Sequence, residues 1–148
     1  MAYDISGFGI EARLLASVTF PAGFTLTEFA DDADPITIDN QQIVDTAMSL
    51  NGDLLSWSTA NPIPATIAVI PNSADDLNLS VLVEANRVGQ GKRSNQDSIT
   101  LVMTTPDGRS VTLTNGKLTE GPVANTVNSS GRLNSKSYQF RFENKVGV

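Results

Sequence analysis

The sequence predicts a mainly β protein with antiparallel strands and a single helix. Apolar and polar residues alternate in several segments, most plainly in Tyr138–Phe142, as expected of strands with one buried face. Turn signals such as Asn51-Gly52 separate these segments at short intervals. Only the segment from Asn72 to Val88 also fits a helical period. The fold class follows from these three observations.

Composition narrows the possible functions. The chain has 148 residues, enough for one domain over residues 1–148. It contains no Cys and no His, which excludes thiol chemistry, imidazole catalysis and the usual zinc sites. No Ser-x-x-Lys motif is present, so we expect no enzyme and no cofactor. We also expect no membrane span and no export signal.

The first strands are predicted from alternation. Apolar residues occupy the even positions from Ala12 to Phe20, and a second strand follows a break at Pro21–Gly23. An acidic turn begins at Asp31, and a further strand is expected from Ile36 to about Leu50. This part of the chain is therefore expected to be strands alone.

A hairpin turn is predicted at Asn51-Gly52, followed by a Pro-bounded loop and a buried strand, Thr66–Ile70. Trp57, the only tryptophan, is predicted to lie in that loop. Two interpretations remain open: the loop packs Trp57 back on the core, or Trp57 anchors a subunit interface.

The segment Asn72–Val88 is ambiguous by period. Leu77, Val81 and Val88 fit a helical stripe, although alternate residues also fit a strand. Ser73 followed by Asp76 is typical of a helix start, and no turn residue interrupts the run before Gly89. We therefore predict a helix here.

The last part of the chain is predicted to be a long ribbon. A strand runs from Ser98 to Thr105, Pro106–Gly108 turns the chain, and a second strand continues to Thr114. Asn115-Gly116 is predicted to be a second hairpin turn. The final strand places Tyr138, Phe140 and Phe142 on one face.

Several short motifs are better explained as ordinary structure. Gly7–Ala12 has the letters of a dinucleotide loop but is followed by a strand, and Gly89–Ser94 lacks the Ser or Thr that would bind magnesium. The acidic segment near Asp31 lacks the spacing of a calcium loop. We expect no nucleotide site and no metal.

Three segments between Ala65 and Asn144 occur in a recognisable order. They are ATIAVIPNSADDLNLSVLVEANRVGQG, DSITLVMTTPDGRSVTLTNGKLTEGP and GRLNSKSYQFRFEN. This order of strand, helix, long ribbon, Gly-Arg-Leu and aromatic final strand resembles tail tube proteins of long-tailed bacteriophages, above all the contractile-tailed kind. The resemblance implies an antiparallel β-sandwich or barrel-like domain with one flanking α-helix, the tail tube fold.

The resemblance also implies a structural role. Copies would assemble with one another as hexameric rings, stacked into a tube whose channel carries ejected DNA. Further partners implied are the tail sheath, a baseplate or tail-tip initiator and the tape measure protein. The protein would reside in the virion tail, and in the host cytoplasm during assembly.

Two sets of residues are expected to serve this assembly. The ring-stacking and subunit interface is expected at Asp31, Asp32, Asp34 and Pro35, and in second place at Trp57. The lumen is expected to be lined by Thr100, Thr104, Thr112 and Thr114, because hydroxyls offer DNA little fixed charge. The net charge of −6 further disfavours binding to a phosphate backbone.

Two alternatives stay open. A tube of a related contractile injection or secretion system would share the fold and carry a different cargo. A β-sandwich ligand-binding module belongs to another class, but it would usually display exposed aromatic residues, and this chain is only 6% aromatic.

Overall fold

Ten strands and one helix make up the part of the chain that the computed structural model describes, residue 5 and residues 7–147. In chain order they are β1 (Glu11–Ala16), β2 (Phe20–Leu26), β3 (Ile36–Ile38), β4 (Val44–Met48), β5 (Leu54–Ser58), β6 (Ile63–Val69), α1 (Ala74–Asn86), β7 (Ile99–Thr104), β8 (Ser110–Glu120), β9 (Lys136–Phe142) and β10 (Asn144–Gly147). The predicted class, antiparallel β with one helix, is confirmed. Within the described residues, no helix has the length and apolar character needed to cross a membrane. The first residues, where we expect no export signal, lie mostly outside the described part.

Two antiparallel sheets meet at β8. The first half of β8 pairs with β7 and β10, which extends a sheet in the order β2-β1-β7-β8-β10. Its second half pairs with β9 in a second sheet, β8-β9-β6-β3. Buried side chains of both sheets and of α1 form one apolar core, including Leu14, Leu101, Phe140 and Leu82. The result is a β-sandwich with a flanking helix.

The predicted hairpin turn at Asn115-Gly116 is wrong, because β8 continues through both residues. Asn115 has a left-handed backbone (φ 53°), and the register with β7 shifts between Ile99 and Leu101, which marks a bulge. Gly116 lies beneath the ring of Phe142. The bulge thus bends β8 from one sheet into the other.

The break predicted at Pro21–Gly23 also lies elsewhere. β1 ends at Ala16, and the chain turns over residues 17–19. The backbone N–H groups of Val18 and Thr19 donate to the carboxylate of Asp97 at 2.9 and 3.0 Å, which holds this turn. β2 runs through Pro21 because it is an edge strand, bulged at that point, where a missing N–H costs little.

The long strand predicted from Ile36 to about Leu50 is two strands. β3 ends at Ile38 and joins β6, whereas β4 begins at Val44 and pairs only with β5. Trp57 lies on β5 and not in a loop. The apolar residues of β4 and β5 therefore do not extend the core, whereas Ile36 on β3 packs against it.

The predicted helix is confirmed, and its buried face is not the stripe seen in the sequence. Ser73 caps the helix by accepting a hydrogen bond from the Asp76 N–H at 3.2 Å. Leu79 and Leu82 are buried, while Leu77 and Val81 face outward. Asp75 and Asp76, buried with hydrogen-bond partners, fix which side of α1 faces the sheets.

Asp97 is expected to make the free energy of unfolding depend on pH in the acidic range. Burial alone would raise its pKa, but hydrogen bonds from Thr19, Asn86 and the Val18 N–H hold the pKa below the ordinary 3.8. A lowered pKa contributes stability above 3.8 that disappears as the pH falls through the folded-state value. Asp97→Asn should therefore cost about 1–3 kcal/mol of unfolding free energy near pH 7 and less below about pH 4.

Urea unfolding of both proteins from pH 7 to 2.5 measures this difference. Asp53→Asn, in the exposed hairpin turn, is the control and should unfold like the parent at every pH. A cost of Asp97→Asn that stayed constant over the whole range would contradict the assignment.

Candidate assembly surfaces

β4 and β5 form a hairpin that stands apart from both sheets. Gly52, with φ 87°, makes the tight turn that Asn51-Gly52 predicts, and the Ser49 N–H donates to the Asp53 carbonyl at 2.9 Å. At the base, the Thr59 N–H donates to the Ile43 carbonyl at 3.1 Å. This unit, residues 43–59, is called the hairpin below.

Both faces of the hairpin carry apolar side chains. Directly paired residues share a face, and every strand residue of the hairpin is exposed. One face bears Val44, Met48 and Leu54, and the other bears Ile43, Ala47, Leu55 and Trp57. The Trp57 residue is 49% exposed. Of the two interpretations of Trp57, packing against the core is therefore wrong.

An exposed ribbon of this kind needs a partner. A lone two-stranded hairpin is marginally stable in water, and contiguous exposed apolar surface marks interaction sites. A hairpin with only one apolar face could be covered by a single flat surface. Two apolar faces require cover on both sides, as when a ribbon lies between other subunits.

The acidic segment Asp31–Pro35 is held against the loop that precedes β9. Arg132 pairs with Asp31 at 2.6 Å, and this hydrogen bond lowers the pKa of Asp31. The Ser135 hydroxyl donates to Asp32 at 2.6 Å. Asp34 and Pro35 are exposed beside them. Among the described residues, no three carboxylates come close enough to hold a metal ion.

The four predicted lumen threonines share one face of the first sheet. Their neighbours in sequence, such as Leu101 and Leu113, point into the core, so the threonines point outward. The set comprises Thr100 and Thr104 on β7 with Thr112 and Thr114 on β8. On β1, Glu11 pairs with Thr104 and Arg13 with Val102, which adds one charge of each sign.

A groove at the C-terminal end of α1 was not predicted from the sequence. It has a volume of about 440 Å³ and lies between the end of the helix and the end of β8. Val83, Leu118 and Val123 supply apolar walls, and Arg87 and Glu120 supply charges. The only signal in the sequence is Gly121, where an added Cβ would lie 2.6 Å from Val83 Cγ2. The missing side chain lets the chain pass close to Val83 and Tyr138 beside the groove.

The predicted site residues thus lie on three different elements: the hairpin, the acidic segment and the outer face of the first sheet. The structure brings the four threonines together, and it ties Asp31 and Asp32 to one loop. No hydrogen bond or ion pair among the described residues joins Trp57 to the acidic segment. Each surface must therefore be tested separately.

Comparison with known proteins gives one family and several similar folds. The profile of the family described as "Tail fiber protein gp32" matches residues 3–146. No curated protein sequence matches the chain.

Similar solved structures include parts of the anti-feeding prophage and of an extracellular contractile injection system. One is the anti-feeding prophage cap, a tube terminating cap, with a TM-score of 0.59, 10% identity and coverage of 100% of this chain and 93% of that chain. A second is the PVC sheath/tube terminator of an extracellular contractile injection system in its extended state, with a TM-score of 0.56, 10% identity and coverage of 100% of this chain and 99% of that chain. A third is a chain of the anti-feeding prophage baseplate, with a TM-score of 0.59, 9% identity and coverage of 100% of this chain and 97% of that chain. At such low identity, these matches establish a shared fold alone.

Proposed function

The chain belongs to the family described as "Tail fiber protein gp32", and we propose that it is the repeating subunit of a phage tail tube. The family makes it a tail-associated protein, and a non-enzymatic role fits that membership. In this proposal, residues 1–148 form a single tail-tube-like domain. Copies of this domain close into hexameric rings, and the rings stack around a channel for DNA.

The observation that carries this proposal is the exposed two-sided hairpin. Its apolar residues gain nothing from exposure, whereas burying each Leu or Met between copies contributes roughly 1.5–3 kcal/mol. Repeated in every subunit, such a contact favours a polymer. We place the principal contact between copies at the hairpin with Trp57, and a second contact at Asp31, Asp32, Asp34 and Pro35.

The outer face of the first sheet suits a channel wall. β2 and β10 are the free edges of this sheet, and pairing such edges between copies would close a barrel without exposed backbone groups. The face with Thr100, Thr104, Thr112 and Thr114 would then line the lumen. The negative charge of Glu11 and the positive charge of Arg13 on β1 cancel, so a DNA duplex that slides past this face meets little net charge. Six copies carry −36 per ring, which further opposes adhesion of DNA.

The implied partners follow from this placement. A tube in a contractile tail would contact a sheath, a baseplate or tail-tip initiator and a tape measure protein, and would pass DNA without binding it specifically. The protein would assemble in the host cytoplasm and remain in the virion tail.

A second candidate is a tube, cap or terminator subunit of a related contractile injection system. The structures that share this fold are described as a tube terminating cap, a sheath/tube terminator and a baseplate, which supports keeping this candidate. A cap or terminator would form single rings and would not extend into tubes. The cargo distinguishes a phage tail from an injection system.

Electron microscopy of the purified protein, with and without the cognate tail tip as initiator, tests the proposal. We expect six-fold rings or hollow tubes from the parent chain and none from Leu54→Asp. A buried charge at such a contact costs about 2 kcal/mol or more, roughly thirty-fold in affinity per contact. Val127→Asp, at an exposed apolar position outside the hairpin, is the matched control and should assemble normally.

Monomers alone in the presence of the initiator would contradict the proposal. Tubes from Leu54→Asp would show instead that copies assemble through another surface. Single rings that never stack would favour the cap. A reconstruction of the tubes would also show whether the threonine face lines the channel, and any other lining would overturn that placement.

A further inference from the structure

The groove at the end of α1 has three apolar side chains in its wall and room for a further side chain. Its volume of about 440 Å³ lies within the range of pockets that hold small ligands. Val83, Leu118 and Val123 line it together with Gly121, whose lack of a Cβ lets the chain pass close to Val83. No described side chain of this chain fills it.

Trp57 is a large apolar side chain that could enter such a groove. It is the only tryptophan, and it stands half exposed on the hairpin beside Leu55. An indole brings a large contact area at little cost in conformational entropy, which makes tryptophan the commonest kind of interface anchor. Trp57 does not line the groove of its own chain.

Charge favours the meeting of these two surfaces. The segment 39–62, which contains the hairpin, carries Asp39, Asp45 and Asp53 and no Lys or Arg. The end of α1 and the following loop carry Arg87, Lys92 and Arg93, set against Glu84 and Glu120. Arg93 is exposed and has no ion-pair partner in the described part of the chain. The exposed charges there sum to +1, because Asp97 in the same loop is buried, so an acidic hairpin would approach a weakly basic rim.

We propose that the groove receives Trp57 from a second copy of this chain. The indole would pack between Val83, Leu118 and Val123, with the Arg87 guanidinium at the rim placed for a cation–π contact. This inference rests on the proposed function, because it names the surface on which the hairpin of one tube subunit docks. It adds to that function a specific contact, repeated between all neighbouring copies.

The single tryptophan makes the contact directly measurable. Trp57 emission should shift to shorter wavelength when parent subunits assemble, because the indole leaves water. Val123→Asp should abolish the shift and weaken assembly by about tenfold or more. Val123 is 78% exposed, so the change should leave the fold intact. Val127→Asp, 62% exposed and outside the groove, is the matched control and should behave as the parent.

Disulfide trapping provides an independent measurement, because the chain has no native cysteine. An affinity-tagged Val123→Cys chain assembled with untagged Leu55→Cys should give cross-linked pairs on mild oxidation. The tagged Val127→Cys chain with Leu55→Cys should give none.

The outcomes test the docking site of Trp57 and the tube function separately. Tubes that form without an emission shift and without the Leu55–Val123 disulfide would overturn the docking site and leave the tube function standing. A shift that survives Val123→Asp would also overturn it, since Trp57 would then be buried elsewhere. Absence of rings and tubes from the parent chain would overturn both.

Discussion

Asp76→Ala is expected to lower the free energy of unfolding by about 3–5 kcal/mol, among the largest effects of any single substitution in this chain. Asp76 is 1% exposed and pairs with Lys136, 10% exposed, at 3.2 Å. It also accepts hydrogen bonds from the Asn72 N–H at 2.9 Å and the Tyr138 hydroxyl at 2.8 Å. Removing the carboxylate would leave a nearly buried ammonium without its counter-ion, and it would take this acceptor away from the Asn72 N–H and from the buried Tyr138 hydroxyl.

The state of Tyr138 supports this assignment. Burial, with the neighbouring Asp76 carboxylate adding to it, raises the pKa of Tyr138. The hydroxyl therefore stays protonated and serves as a donor, while Ser80 lies within 3.1 Å of the same oxygen. The network joins the first turn of α1 to β9, so it fixes the helix on the second sheet.

Urea unfolding of Asp76→Ala, Lys136→Met and the double variant measures the coupling between the two charges. The double variant should lose less than the sum of the single losses, because it leaves no uncompensated charge. Asp45→Ala, exposed on the hairpin, should change the unfolding free energy by at most about 0.5 kcal/mol. Additive single losses, or a loss below about 1 kcal/mol for Asp76→Ala, would contradict the role given to this pair.

The same network explains why the sequence predicts the helix but not its buried face. Capping by Ser73 and an uninterrupted run of helix-compatible residues are local signals. Which side faces the core depends on Lys136 and Tyr138, sixty residues later. The apolar stripe of Leu77 and Val81 would ordinarily indicate the core, and here two buried aspartates turn it outward.

The hairpin was predictable in part. Asn51-Gly52 correctly predicts the turn, whereas Trp57 lies on β5 and not in the predicted loop. The interface role of Trp57 stays a prediction. That β4 and β5 join neither sheet depends on long-range pairing, because β6 pairs with β3 and β9 instead. One local signal was available: apolar residues at both alternating positions of Leu54–Trp57 are typical of a strand covered on both faces.

The threonine face could be predicted from the sequence, whereas the groove could not. Alternation in β7 and β8 places Thr100, Thr104, Thr112 and Thr114 opposite the core residues whatever the surrounding topology. The groove exists because the end of a helix meets the end of β8 across Gly121. No pattern within either segment indicates that meeting.

Gly116→Ala is expected to destabilise the fold by about 1–3 kcal/mol, the usual cost of an overpacked core. A Cβ at this position would lie 2.3 Å from Phe142 Cδ1 and 2.5 Å from its Cε1. The ring cannot move aside easily, because Phe142 is buried and stacks on Phe140 with centroids 6.1 Å apart. The backbone cannot move easily either, since Asn115 already holds the left-handed conformation of the bulge.

Thermal unfolding is the measurement, with each kcal/mol lowering Tm by about 2–4 °C in a chain of this size. Gly7→Ala, where an added Cβ meets nothing within 4 Å, should melt like the parent chain. Phe142→Val is destabilising by itself, but valine has no atoms beyond Cγ, so it removes the clashing Cδ1 and Cε1. If the ring is the obstacle, adding Gly116→Ala to Phe142→Val should cost much less than adding it to the parent. An equal cost in both backgrounds would mean that the bulge backbone, and not the Phe142 ring, requires glycine where β8 passes from one sheet to the other.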